Sequence, residues 1–245
     1  MKPAAFTYHR PASLDEALAL LDQLGPQARL LGGGQSLGPM LNLRLARPEH
    51  VIDLNDLTEF AYVRESGDAV EVGGLTRHYQ LAESACLRKY CPLLTQAAKT
   101  IGHYAIRQRG TLGGSLANAD PVAQLALVAV ALDARITLAR QGSRREIAAR
   151  DFFQAAMTTA LEPQELLLSV RFPKFKTGEV SAYRMFNRRH GDFAVVAVAA
   201  TLAVVDGQVQ RLRLALSGIA SVPQRMDAVT RQFEGHHPTA QWAMD

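Results

Sequence analysis

Two short stretches hold the residues most able to do chemistry. In Leu30-Leu31-Gly32-Gly33-Gly34-Gln35-Ser36, three successive glycines follow an apolar run directly. Glycine tolerates positive φ and lets a ligand approach the backbone closely. Successive bare N–H groups can then form a nest for an anion, with the Ser36 hydroxyl as a further donor. The chemistry suggested is the grip of a pyrophosphate. The spacing is neither G-x-G-x-x-G nor a P-loop, since no Gly-Lys-Ser/Thr follows. Gly110-Thr111-Leu112-Gly113-Gly114-Ser115 repeats the idea, with Asn118 just beyond. Either loop alone reads equally well as a plain tight turn. Together they suit a dinucleotide held from both sides. No Ser–His–Asp arrangement or paired-carboxylate motif stands out, so hydrolysis is not expected.

The surrounding pattern supplies elements to position these loops. Ser13-Leu14-Asp15-Glu16 is a capping box, Leu14, Ala17, Leu18 and Leu21 recur at helical spacing, and Gly25-Pro26 closes that helix. Residues 28–31 read as a strand running into the first loop, and 51–54 as a second strand. Farther on, 69–73 reads as a strand and 93–101 as a helix leading to the second loop. Asp120-Pro121 is expected to start a helix, 134–139 to form a strand and Asp151 to cap a short helix. Residues 165–172 read as a strand closed by Pro173. The polar run 174–179 marks a domain boundary. Beyond it, 195–205 and 209–216 are apolar and flank Asp206-Gly207, a hairpin signal; a helix is expected from about Pro223.

The chain has 245 residues, ample for a packed core. Its 27 basic and 23 acidic residues give a net charge of +4, but Lys and Arg are scattered and form no stripe for nucleic acid. Cys86 and Cys91 are too few for a closed zinc site or an iron–sulfur cluster, and read as thiols in a reducing cytoplasm. The apolar run 121–132 is too short for a membrane span, and the first residues lack a signal core, so a cytoplasmic location is expected.

Further motifs carry a resemblance. These are Phe6-Thr7-Tyr8-His9-Arg10-Pro11, Gly33-Gly34-Gln35-Ser36-Leu37, Leu43-Arg44-Leu45-Ala46-Arg47-Pro48 and Ile101-Gly102-His103. Ile106-Arg107, Arg109 through Ser115, and Arg188-Arg189-His190-Gly191-Asp192-Phe193-Ala194 complete the set. From Phe6 to about Gly218 the sequence resembles the FAD-binding medium subunit of molybdenum hydroxylases, the group of carbon monoxide and xanthine dehydrogenases. The resemblance implies an α+β fold. A two-subdomain FAD-binding domain of the vanillyl-alcohol-oxidase-like type would span 1–175, divided into about 1–57 and 58–175. A small sheet-and-helix C-terminal domain, apparently shortened, would span 178–245.

It also implies that Gly32, Gly33, Gly34, Gln35, Ser36 and Leu37 take the pyrophosphate. Thr111, Leu112, Gly113, Gly114 and Ser115 would take the ribityl–phosphate region and flavin edge. Leu167 would lie against the flavin or adenine, and Arg184 would stand where relatives keep a lysine. The expected FAD is non-covalent, because Gln35 fills the slot in which some oxidases of the wider superfamily carry a flavin-linked histidine. A large subunit with the molybdenum cofactor and a small subunit with [2Fe-2S] clusters would complete a heterotrimer or a dimer of heterotrimers. Departures from the pattern are Gly32 for a common alanine, Asn118 for a frequent histidine, Gln124 for an acidic residue, and an early end at Asp245. His103, Arg107, Arg109, Asp192 and Phe193 are candidates to approach the cofactor, and a structural or solvated role fits each as well. A free-standing flavin oxidase and a non-catalytic nucleotide-binding subunit are the competing readings.

Overall fold

The computed structural model describes residues 2–239. The first lobe contains β1 (Thr7–His9), α1 (Leu14–Leu24), β2 (Ala28–Leu31), α2 (Leu37–Asn42) and β3 (His50–Asp53). Ser13 caps α1 by accepting the Glu16 N–H at 3.2 Å, and the Glu16 carboxylate accepts the Ala12 N–H at 2.8 Å. The capping box therefore closes one residue upstream of its expected donor. Helical spacing buries Ala17, Leu18 and Leu21. Gly25 ends α1 at φ +51°, which glycine reaches without a Cβ penalty. β3 lies between β1 and β2 in a parallel sheet, so β2 delivers the first glycine loop at its carboxyl end.

The second lobe opens with β4 (Val63–Ser66) and β5 (Ala69–Gly73). It continues through α3 (His78–Glu83), α4 (Ala85–Tyr90), α5 (Pro92–Lys99), α6 (Tyr104–Arg109), α7 (Leu112–Asn118) and α8 (Gln124–Ala131). After these come β6 (Arg135–Arg140), β7 (Ser143–Ala148), α9 (Ala149–Phe152), the hairpin of β8 (Phe153–Ala155) and β9 (Thr158–Thr159), and β10 (Leu166–Pro173). β10 is the middle strand of an antiparallel sheet ordered β4-β5-β10-β6-β7. Its Leu166-Leu167-Leu168 run does not alternate in polarity because both faces are covered. Leu166 and Leu168 join the core around Leu18 and Leu21, while Leu167 joins the core of the second lobe. β10 is thus a wall shared by both lobes. Beyond Gln124, α8 is apolar all round, and it is buried along its whole length, as a helix inside a large core must be.

Three local expectations are corrected here. Asp120 starts no helix: its carboxylate accepts the Val122 N–H at 3.0 Å, and α8 begins at Gln124 after Ala123. Such a side-chain turn competes with helix initiation. Asp151 lies inside α9 rather than capping it. Leu112 to Ser115 is the first turn of α7 instead of an open loop, because the Thr111 hydroxyl accepts the Gly114 N–H.

The C-terminal unit is an antiparallel sheet, β11 (Glu179–Phe186), β12 (Val196–Val205), β13 (Gln208–Ser217) and β14 (Gln224–Arg225), followed by α10 (Asp227–Thr230). Asp206 and Gly207 take φ of +51° and +77° between β12 and β13, as a type I′ hairpin requires. The helix expected from Pro223 starts only at Asp227, since Gln224 and Arg225 pair with β13. Tyr183, Ala197, Ala199 and Ala215 face the second lobe and share its core. Among the described residues no helix is long and apolar enough to cross a membrane.

Candidate functional site

The first loop leaves β2 at Gly32 and enters α2 at Leu37. A side chain at Gly33 would fall on the Arg109 carbonyl and within 2.7 Å of the Gly110 Cα, so the two glycine loops meet backbone to backbone. Gly34 holds φ +71°. Among the described residues, the amides of Gly33, Gly34, Gln35 and Ser36 have no backbone acceptor. The Gln35 side chain folds back and donates to the Gly33 carbonyl at 3.0 Å. Ser36 stands at the N-terminus of α2 without making a side-chain cap, which leaves its hydroxyl available to a ligand.

The second loop is organised in the opposite way. The Leu112 amide donates to the Thr76 carbonyl at 3.0 Å and the Gly113 amide to the Gly74 carbonyl at 2.7 Å. The Gly114 amide donates to Thr111 Oγ1 at 3.1 Å and the Ser115 amide to the Thr111 carbonyl at 3.0 Å. The amides at the start of α7, which a helix normally leaves open, are therefore engaged. Gly113 presses on Gly74, whose carbonyl would lie 2.8 Å from an added Cβ.

Residues outside the two glycine loops tie this arrangement together. The Asn55 side chain donates to the Gly32 carbonyl at 3.0 Å, and its Oδ1 accepts from Arg77 at 2.5 Å. A second Arg77 nitrogen donates to the Arg109 carbonyl. Asp53 anchors Asn55 and accepts the Tyr8 hydroxyl at 2.5 Å. Burial raises the Asp53 pKa, but hydrogen bonds from Tyr8 and Asn55 outweigh it and hold the carboxyl below its ordinary value. His78 is buried beside Gly110, and its Nε2 donates to the Thr111 carbonyl at 3.0 Å. Burial lowers its pKa to about 4, so the ring is neutral at pH 7. Its Nδ1 has no partner among the described residues. No local signal marks Arg77 and His78, whose partners on the second loop lie 32 and 33 positions away.

Between the lobes lies a cavity of about 730 Å³, within the roughly 300–1,000 Å³ common for small-molecule sites. Gly32 through Leu37, Thr111, Gly113, Gly114, Ser115 and Leu167 all line it. Leu112 and Arg184 do not. The cap at Thr111 turns Leu112 into the core, where it is fully buried, and strand alternation points Arg184 outward from β11, opposite buried Tyr183. Apolar Leu21, Ala28, Leu30 and Leu166 contribute to its lining, with Arg29 and Glu165 among them. Ile101 to His103 and, from the C-terminal unit, Gly191 to Phe193 line it as well. Gly191 packs directly on the His103 ring, and Phe193 is 69% exposed. Asn118 and Gln124 also line the cavity, whereas Arg107 and Arg109 do not; the Arg107 side chain donates to the Ile101 and Gly102 carbonyls, each at 2.9 Å. Cys86 and Cys91 lie away from the cavity as free thiols, and burial pushes Cys91 up to about 12.

A cavity between two lobes with open amides on one wall and both apolar and polar side chains in its lining suits an anionic cofactor that carries ring systems. Comparison with known proteins agrees. The family described as the FAD binding domain in molybdopterin dehydrogenase matches residues 4–175, and the CO dehydrogenase flavoprotein C-terminal domain matches residues 181–244. The caffeine dehydrogenase subunit beta of a Pseudomonas species is 37% identical over 236 residues, covering 96% of this chain and 80% of the relative. The carbon monoxide dehydrogenase medium chain of Hydrogenophaga pseudoflava is 38% identical over 227 residues, 93% of this chain and 79% of the relative. A solved Hydrogenophaga pseudoflava carbon monoxide dehydrogenase, in a form lacking the Mo-pyranopterin moiety, superposes with a TM-score of 0.95 at 38% identity, covering 98% of this chain and 84% of that one. The chain belongs to the family of FAD-binding medium subunits of molybdenum-dependent dehydrogenases.

Proposed function

We propose that this chain holds FAD, without a covalent bond, in the cavity between its first two lobes and serves as the electron-transfer subunit of a molybdenum hydroxylase. The observation that carries this reading is the set of unengaged amides from Gly33 to Ser36, in a loop that lines a cavity closed by the second glycine loop. Gly32 to Ser36 receive the pyrophosphate, with Leu37 alongside. Thr111, Gly113, Gly114 and Ser115 receive the ribityl–phosphate region through bare backbone surface and hydroxyls, and Leu167 packs against a ring. Leu112 supports this wall from beneath. Arg184, on the outer face of β11, is left out. Gln35 cannot form a flavin tether, because an amide nitrogen is a poor nucleophile.

Bound FAD supplies the redox chemistry; the chain supplies binding, orientation and exclusion of water. Electrons arrive from a small [2Fe-2S] subunit, fed by a large subunit with the molybdenum cofactor, and leave to an external acceptor. Residues 1–175, as subdomains of about 1–57 and 58–175, form the FAD-binding part, and 178–245 the C-terminal part. The assembly is a heterotrimer or a dimer of heterotrimers in the cytoplasm.

The test is purification of the chain with and without its two partner subunits. The chain should be yellow, and acid precipitation should leave intact FAD in the supernatant. Purines, aldehydes or N-heterocycles added anaerobically should bleach the flavin only when both partners are present. A chain that cannot be loaded with FAD, a yellow pellet, or bleaching without partners would overturn the corresponding part of the reading.

A further inference from the structure

Asn55 and Arg77 do not line the cavity, yet they join its two glycine loops. Asn55 Nδ2 holds the Gly32 carbonyl at 3.0 Å, Asn55 Oδ1 accepts Arg77 Nη2 at 2.5 Å, and Arg77 Nη1 reaches the Arg109 carbonyl. This relay runs from the first loop to the second in parallel with the direct contact at Gly33. Its middle is fixed, because the Asp53 carboxylate accepts the Asn55 backbone N–H at 2.9 Å, the Asn55 side-chain N–H, and the Tyr8 hydroxyl at 2.5 Å. The relay therefore sets the separation of the loops from outside the cavity.

Arg77 also brings charge. Its guanidinium is partly buried, and among the described residues it forms no ion pair. Burial and the neighbouring Arg109 both disfavour its charged form; Tyr79 and Asp53 favour it. A partly desolvated cation without a carboxylate partner is stabilised when an anion comes within reach.

We propose that Arg77 and Asn55 are positioning residues for the cofactor: they hold the two glycine loops at the separation a pyrophosphate needs, and the Arg77 charge behind the loops is balanced by that pyrophosphate. This rests on the FAD reading of the cavity. Removing the relay leaves the backbone contact at Gly33 intact, so the lobes still fold together while the grip on the phosphates slackens.

The experiment is titration of the FAD-stripped full chain with FAD at low and high salt, alongside thermal melts. The proteins are the wild type, Arg77→Lys, Arg77→Met, Asn55→Ala and the Asn55→Ala/Arg77→Met double variant. Arg77→Met should weaken FAD about ten- to a hundred-fold, the range for a hydrogen bond to a charged group. The double variant should be no weaker than Arg77→Met within about twofold, because both changes break one relay. Salt should weaken wild-type binding more than that of Arg77→Met, and Arg77→Lys should keep the wild-type salt response while binding several-fold more weakly. A purely structural role would lower the melting temperature without altering the salt response. If Arg77→Met does not fold, Arg77→Lys decides through affinity and salt response. FAD-loaded variants within twofold of wild type, multiplying costs in the double variant, or an unchanged salt response in Arg77→Met would overturn the proposal. Failure of the wild type to bind FAD would overturn the reading of the cavity instead.

Discussion

The loop Gly32–Ser36 and the loop Gly110–Ser115 are built from the same residue types, but their backbone donors have opposite fates. In the first, the amides from Gly33 to Ser36 have no backbone acceptor among the described residues. In the second, the amides of Leu112, Gly113, Gly114 and Ser115 are all engaged within the protein. Their glycines differ as well. Gly33 is required because the loops touch, and Gly113 because α7 lies on Gly74. A glycine-rich loop therefore marks close backbone approach, and the approaching partner can be another loop as readily as a ligand. The first loop is suited to receive a phosphate. The second is a rigid wall that offers hydroxyls and shape.

The comparison is broken most severely at Gly33. Gly33→Val puts branched carbon onto the Arg109 carbonyl, an overpacking that should cost about 3 kcal/mol, the upper part of the usual range, and abolish flavin binding. Denaturant unfolding and flavin content measure both. A variant of wild-type stability would show that the loops do not need their contact.

His78 holds only the second loop, and its effect should appear through pH. Its pKa in the folded protein is lowered from 6.5 to about 4. As pH falls below 6.5, the unfolded chain binds a proton that the folded protein refuses until about pH 4. Stability is therefore intact above 6.5 and declines across that window, by roughly 3 kcal/mol at most. Urea unfolding at pH 7 and pH 4.5 should show the decline, and His78→Gln should flatten it. An equal decline in the variant would place the acid sensitivity elsewhere.

A smaller change separates the roles of the two hydroxyls. Thr111→Ala removes the cap on the Gly114 amide and should cost about 1 kcal/mol of stability, read from the melting curve, with flavin still bound at saturating FAD. Ser36→Ala should do the reverse. Its side chain makes no cap, so stability should stay within about 0.5 kcal/mol, while FAD affinity falls about tenfold or more for the loss of one hydrogen bond to a charged phosphate. Identical behaviour of the two variants would erase the distinction between the loops.

Much of the scaffold could be read directly because its causes are local. The Ser13 cap, the spacing that buries Ala17, Leu18 and Leu21, and the turn at Asp206-Gly207 all act within a few residues. Asp120-Pro121 misled because a two-residue side-chain turn and a helix start share one signal. Both glycine loops line the cavity, whereas Leu112 and Arg184 do not. Which face each of these side chains takes depends on the cap at Thr111 and on the pairing of β11 with β12.

By itself, the sequence determined the capped α1, the hairpin at Asp206-Gly207, the two glycine-rich stretches and the family. Tertiary structure alone decided which loop keeps its amides open, that Asn55 and Arg77 join the two loops, and that His78 holds the second. The reason is distance along the chain. Helix caps and turns find their acceptors within about four residues, whereas Arg77 reaches Asn55 across 22 positions and Arg109 across 32. Those partners exist only after β10 has brought the two lobes onto its opposite faces.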